Sequence, residues 1–106
     1  MDQAQLSEQF NRLCSGMIKV MEAKNHDYAG GTGDAFANFQ LIETLSKGEI
    51  SREMGCLVRM TDKLSRVMRL LQNKENKVID EKIEDTLKDL ANYSLLLIIM
   101  LSEQRS

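Results

Sequence analysis

Glu81, Asp85, Asp89 and Asn92 follow one another at spacings of four, four and three, which on an α-helix projects three carboxylates and an amide along one line. Hard divalent cations want several oxygen ligands and share them with substrate phosphates, so the row could hold one or two magnesium ions. The plainer reading is a solvated helix face. Acids at this spacing repel one another in a bare helix, and something should compensate them. Glu84 is displaced by about a quarter turn from the row and is a weaker candidate.

Arg59, Asp62, Lys63 and Arg66 set three cations around one acid. Arginine presents a planar fork and lysine a point charge, a combination suited to clamping a phosphate chain. Against this, Arg59 with Asp62 and Asp62 with Arg66 are ordinary intrahelical pairs, and the remaining charge is equally suited to neutralising the acid row. A third candidate is NHDYAGGTGD, residues 25–34, with three glycines in four positions. Its backbone could approach a phosphate closely while His26, Asp27 and Tyr28 hold a base or sugar. No GK[ST] follows and no strand precedes it, so it is not a Walker loop, and a flexible connector explains the composition as well.

The elements that must position these residues read as helices. From residue 80 to 101 the chain carries an apolar stripe of Ile83, Leu87, Leu90, Ser94, Leu97, Ile98 and Leu101 opposite Asp85, the pattern of a core helix. Past Asn92 it is apolar all round through LLLIIML. Residues 2–24 form a first amphipathic helix with Leu6, Phe10, Leu13, Cys14, Met17, Val20 and Met21 recurring at three and four. After the glycine-rich loop, Asp34 can cap a short helix, AFANFQLIETL, that ends at Lys47-Gly48. A third helix from about Ser51 to Gln72 carries Leu57, Met60, Leu64, Val67, Met68 and Leu71 on one side and the cations nearly opposite. NKEN then makes the turn of an antiparallel hairpin. Three long helices, one short helix and no strand pattern make the chain an all-α helical bundle.

The 106 residues fit a single domain, 1–106. Charged content of 28% with a net charge of −2 describes an ordinary soluble protein and excludes a polyelectrolyte built for a nucleic acid polymer. Cys14 and Cys56 each fall within a helical pattern, which fits two reduced buried thiols and a cytoplasmic setting better than a disulfide framework or a zinc site. No signal peptide opens the chain, and the longest apolar run, residues 95–101, is far short of the roughly 20 residues that span a bilayer, so no membrane partner is expected.

Three stretches together carry a resemblance: KNHDY at 24–28, RMTDKLSR at 59–66 and, above all, EKIEDTLKDLANY at 81–93. They resemble the phage and bacterial nucleotide-modification-associated family (type 1), an all-α group similar to MazG-like nucleotide pyrophosphohydrolases, over most of the chain. The resemblance implies a helical oligomer that binds or acts on a phosphorylated or cyclic nucleotide in the cytoplasm, the host's if the chain is phage-encoded. If it is an enzyme, Glu81, Asp85 and Asp89 are the catalytic carboxylates and bind Mg2+ together with Asp62, while Arg59, Lys63, Arg66, Asn92, Tyr93 and the HDY cluster hold the ligand. MazG-type enzymes carry an ExxE pair on one helix and an ExxD pair on the next. Here the first helix offers only Asp62 amid cations, and the second has its acids at spacings of four. The alternative is an anti-defence sponge that sequesters a nucleotide immune signal without cleaving it.

Assembly follows from the last helix. Residues 95–101 cover every side of two turns, and exposing even three such side chains would forgo roughly 5–9 kcal/mol at about 1.5–3 kcal/mol each. A homo-oligomer, dimer or tetramer, with these residues in its seam and the polar row of Glu81 to Asn92 near the mouth, is the expectation.

Overall fold

The computed structural model describes residues 1–28, 36–73 and 77–105. Among them the chain is all-α: helices α1 (Gln3–Tyr28), α2 (Ala37–Leu45), α3 (Arg52–Gln72) and α4 (Lys77–Arg105), with no strand. They fall into two compact units, Met1–Asn38 and Phe39–Ser106. No helix among the described residues is long and apolar enough to cross a membrane.

In the first unit α1 starts at a reciprocal cap. The Asp2 carboxylate accepts from the Gln5 N–H at 2.8 Å, and the Gln5 side-chain oxygen accepts from the Asp2 N–H at 2.9 Å, so two N–H groups that a helix start leaves without partners are satisfied. The helix runs to Tyr28, four residues beyond the break read from the sequence. Asn, His, Asp and Tyr are only middling helix formers, but none stops a helix as glycine or proline does. The side chains of 25–28 and all of 29–35 lie outside the described residues, and with them Asp34 and the glycine-rich loop. Cys14 is exposed, not buried as its helical pattern suggests. Leu6, Phe10, Ile18 and Val20 are exposed as well, because this unit holds only one long helix and so little of its apolar surface is covered.

The second unit is built on an antiparallel hairpin of α3 and α4. Its register is fixed at two points: Lys63 Nζ lies 3.2 Å from Asp89 Oδ2, and Arg52 Nη2 donates to the Met100 carbonyl at 3.3 Å. Arg52 is eleven residues before Lys63 and Met100 eleven after Asp89, so the same register holds along the whole contact. Glu53, Cys56 and Val67 of α3 are buried, as are Ile83, Thr86, Leu96 and Met100 of α4. This corrects the stripe read from the sequence: Ile83 belongs to the seam, but Leu87 and Ile98 are exposed. The sequence stripe was centred on the most apolar direction, whereas α4 turns its seam toward a slightly different one and accommodates Thr86 there by a bond from its hydroxyl to the Lys82 carbonyl, 2.7 Å.

α2 closes one end of the hairpin. Its C-terminus is a Schellman motif: the Gly48 N–H donates to the Glu43 carbonyl at 2.9 Å and the Lys47 N–H to that of Thr44 at 3.1 Å. Both turn residues have positive φ, 56° at Lys47 and 82° at Gly48. The chain then enters α3 through Ser51, whose hydroxyl accepts from the Met54 N–H at 3.1 Å, while the Glu43 carboxylate accepts from the Arg52 N–H at 3.1 Å. Ile42 of α2 packs so closely on α3 that a Cβ at Gly55 would stand 3.1 Å from its Cδ1. At the far end of the same turn, Arg52 pairs with Glu53 and Glu103, each at 2.9 Å. Burial works to raise the Glu53 carboxyl pKa, but the Arg52 hydrogen bond and charge outweigh it and hold it below its ordinary value of 4.5.

Two outcomes follow. Lys47→Gly relieves a left-handed backbone that costs an L-residue about 1–2 kcal/mol, partly offset by a freer unfolded chain, and raises unfolding stability by about 0.5–1 kcal/mol in urea titration. Because the folded pKa of Glu53 is depressed, its contribution is present above about pH 4.5 and is lost as pH falls through the folded value. Glu53→Gln therefore destabilises the protein at pH 7 by about 1–3 kcal/mol and flattens the acid limb of a stability-versus-pH curve.

Candidate functional site

A wheel of about 100° per residue divides α3 into three faces. With Cys56 at the seam, Glu53, Met60, Lys63, Val67 and Leu70 lie within about 60° of it. Arg59, Asp62, Arg66 and Arg69 lie to one side, with Val58 next to Arg69, and Met54, Leu57, Leu64, Met68 and Leu71 to the other. In an antiparallel pair, residues displaced in the same rotational sense from each seam come to the same side of the hairpin. Glu81 and Asp85 of α4 therefore share the side of the α3 cations, and Leu87 and Ile98 share the side of the α3 apolar stripe. The cations of α3 thus share one side of the hairpin with Glu81 and Asp85, though exposed Ile99 lies on Glu81's line and exposed Asp80 on that of Leu87.

On the charged side an open groove of about 350 Å³ is lined by Arg59, Asp62, Lys63, Arg66, Arg69 and Tyr93. α2 backs one end of it. The Phe39 ring, buried on α2, meets Tyr93 edge to face with centroids 6.0 Å apart and planes at 83°, and the Arg59 guanidinium lies 5.1 Å from the Phe39 centroid, within cation–π range. Below them the Cys56 thiol donates to the Tyr93 carbonyl at 3.5 Å, and burial pushes its pKa up against the opposing charge of Arg59. Lys63 reaches from the seam to Asp89, and Arg69 donates to Ser65 Oγ at 3.4 Å. No ion pair joins Asp62 to Arg66 among the described residues.

The structure thus brings together Arg59, Asp62, Lys63, Arg66 and Tyr93 of the residues singled out in the sequence, and adds Arg69. Arg69 follows Arg66 by three and completes a row, so its signal was present in the spacing. Asn92 is partly buried and does not line the groove. The side chains of His26, Asp27 and Tyr28 lie outside the described residues. Glu81 and Asp85 are exposed and Asp89 is held by Lys63.

Among the described residues no three His, Cys, Asp or Glu side chains come together to hold a metal ion. The register supplies the reason. Asp89 lies level with Lys63, next to Asp62, but Asp85 lies level with Val67 and Glu81 with Leu71, displaced by roughly 6 and 12 Å along the axis. Oxygens on one magnesium must each come within about 2.1 Å of it. The acid row instead supplies one counter-charge to the cation row. A larger hollow of about 540 Å³ between α2 and the start of α3, lined by Gln40, Glu43, Thr44, Lys47, Gly48 and Arg52, is a poorer site, because Glu43 and Arg52 are committed to capping and ion pairing.

A double-mutant cycle of Lys63→Ala and Asp89→Ala, read by urea unfolding, should return a favourable coupling of about 0.5–1 kcal/mol, that of a partly exposed pair. Zero coupling would mean that Asp89 does not orient Lys63.

No curated protein and no solved structure matches the chain. One family profile does, across residues 24–101, a span that takes in α2, α3, every residue lining the groove and the acid row. On that match over most of its length, the chain belongs to the family described as nucleotide modification associated domain 1.

Proposed function

We propose that the protein binds a phosphorylated nucleotide, linear or cyclic, with the phosphates against Arg59, Lys63, Arg66 and Arg69 and the base near Tyr93. The observation that carries this reading is the groove itself: four cations and one acid converge beside an aromatic ring, in a chain whose family is associated with nucleotide modification. Four like charges on one helix face repel one another, and an anion placed among them removes that repulsion. Arg59 is already oriented by Phe39 and Lys63 by Asp89, so two of the four donors lose less freedom on binding. Sequestration of an intact ligand is favoured over magnesium-dependent hydrolysis, because the carboxylates are spread along α4 and Asp89 is engaged by Lys63.

Calorimetry with nucleoside mono-, di- and triphosphates and cyclic dinucleotides, with and without magnesium, tests this reading. Binding should survive chelation of the metal, and the ligand should be recovered chemically intact after denaturation. Arg66→Ala with Arg69→Ala should weaken it at least tenfold, as loss of charge-assisted contacts at about 1.5 kcal/mol or more would. Asp62→Asn should tighten it about fourfold, since a carboxylate at about 5 Å from a phosphate repels it by roughly 0.8 kcal/mol in water-like surroundings. Weaker binding by Asp62→Asn together with magnesium-dependent loss of the nucleotide would replace sequestration by hydrolysis, and no binding to any of the panel would overturn the assignment.

A further inference from the structure

The Phe39 ring stands behind the groove. It is only 4% exposed and does not line the groove, yet it touches a cation and the aromatic ring that do. The Arg59 guanidinium lies 5.1 Å from its centroid, and the Tyr93 ring meets it edge to face at 6.0 Å. The register that sets Lys63 level with Asp89 also sets Arg59 level with Tyr93, one on each helix of the hairpin. Phe39 joins these two side chains from a third helix.

The ring is held by the docking of α2. Ile42 and Glu43 follow Phe39 by three and four residues, so all three lie on one face of that helix. Ile42 packs on Gly55 so closely that a Cβ there would stand 3.1 Å from its Cδ1, and the Glu43 carboxylate accepts from the Arg52 N–H. The face that carries Phe39 is thereby fixed to the first turn of α3. A leucine at position 39 would serve to bury α2 against the hairpin, but it has no π face to attract a cation and no ring for Tyr93 to meet. Burial at this position bears on the fold, and aromatic character bears on the groove.

We infer that Phe39 is a positioning residue that makes the groove selective for nucleotides over bare phosphates. The inference rests on the nucleotide reading above. Arg59 offers a charge to a phosphate and Tyr93 a ring to a base, and one buried side chain sets the spacing between them before a ligand arrives. A ligand that carries both groups gains from both placements, whereas an inorganic phosphate gains only from that of Arg59. Without the ring, more of the ordering of each side chain falls to the ligand, twice over for a nucleotide and once for a phosphate.

The test uses the full chain with Phe39→Leu and, separately, with pentafluorophenylalanine introduced at position 39. The fluorinated ring keeps nearly the same shape and remains apolar, but the charge on its face is reversed, so a side chain that only fills the core would tolerate it. Calorimetry compares the four ribonucleoside 5′-diphosphates, cyclic diadenylate and cyclic diguanylate with inorganic pyrophosphate, which has no base. For the nucleotide that the wild type binds most tightly, Phe39→Leu should weaken binding at least tenfold, against about threefold for pyrophosphate. The fluorinated chain should bind that nucleotide at least threefold more weakly with no fall in its unfolding temperature, and it decides the matter should Phe39→Leu not fold. In proton NMR of the ligand-free wild type, the Arg59 side-chain protons should lie upfield of those of Arg66 through the ring current of Phe39, and Phe39→Leu should abolish the difference. Nucleotide and pyrophosphate weakened equally, a fluorinated chain that binds as tightly as the wild type, or Arg59 protons without the upfield shift would each overturn the inference and leave the nucleotide reading standing. A wild-type chain that binds none of the nucleotides would overturn that reading and the inference with it.

Discussion

The contact of α3 with α4 decides what every other residue of the second unit can do. A helix touching one neighbour buries about a third of its circumference, and on α3 that third is the line from Glu53 through Cys56 to Val67. The two remaining thirds have opposite chemistry: one carries the cations, the other leucine and methionine. The rotational setting of α3 against α4 therefore determines that charge gathers on one side of the hairpin and apolar surface on the other. Arg52 fixes that setting at one end. It joins the first turn of α3 to the Met100 carbonyl and Glu103 near the end of α4, and its own N–H is capped by Glu43 from α2. A slip of α4 by one residue would break these bonds and carry Asp89 away from Lys63.

The electrostatics of the groove follow from this geometry. Four cations within a few turns repel one another, so their orientations depend on tethers. Arg59 rests over Phe39, Lys63 reaches Asp89, and Arg69 bonds Ser65. None is the kind of bidentate, fully buried pair that would satisfy a cation outright. They hold the side chains in place. Phe39 has a double part, since its ring also meets Tyr93, so the aromatic wall and the first cation are positioned by one buried side chain of the short helix.

Helices and their order were legible in the sequence because glycine and the three-and-four periodicity act locally. α3 starts beside Ser51 and Lys47-Gly48 ends α2, where those signals fall. Which face of each helix meets its neighbour was less legible. The most apolar direction of α4 differs from its seam, since Thr86 enters the seam through a bond to its own backbone, and Leu87 does not enter it. The cation row was visible as spacing, but Arg69 was separated from it by Val67 and Met68 and drew no notice. The axial spread of the acid row is also read from spacing: four-residue steps align carboxylates on a line of about 12 Å along α4, longer than one ion's coordination shell. Cys14 misled in a different way, because a helical pattern locates a side chain on a face without saying whether anything covers that face.

The acid row of α4 runs beside the cation row of α3, and the Lys63–Asp89 pair joins them. Asp85 and Glu81 stand on the same side as Arg66 and Arg69, one and two residues from their levels along the axis. A phosphate entering the groove competes with Asp89 for Lys63. The pair it disturbs contributes only about 0.5–1 kcal/mol, less than one charge-assisted hydrogen bond to a phosphate oxygen at about 1.5–3 kcal/mol. On the proposed reading, in which phosphates lie against these cations, the exchange is favourable and easily reversed.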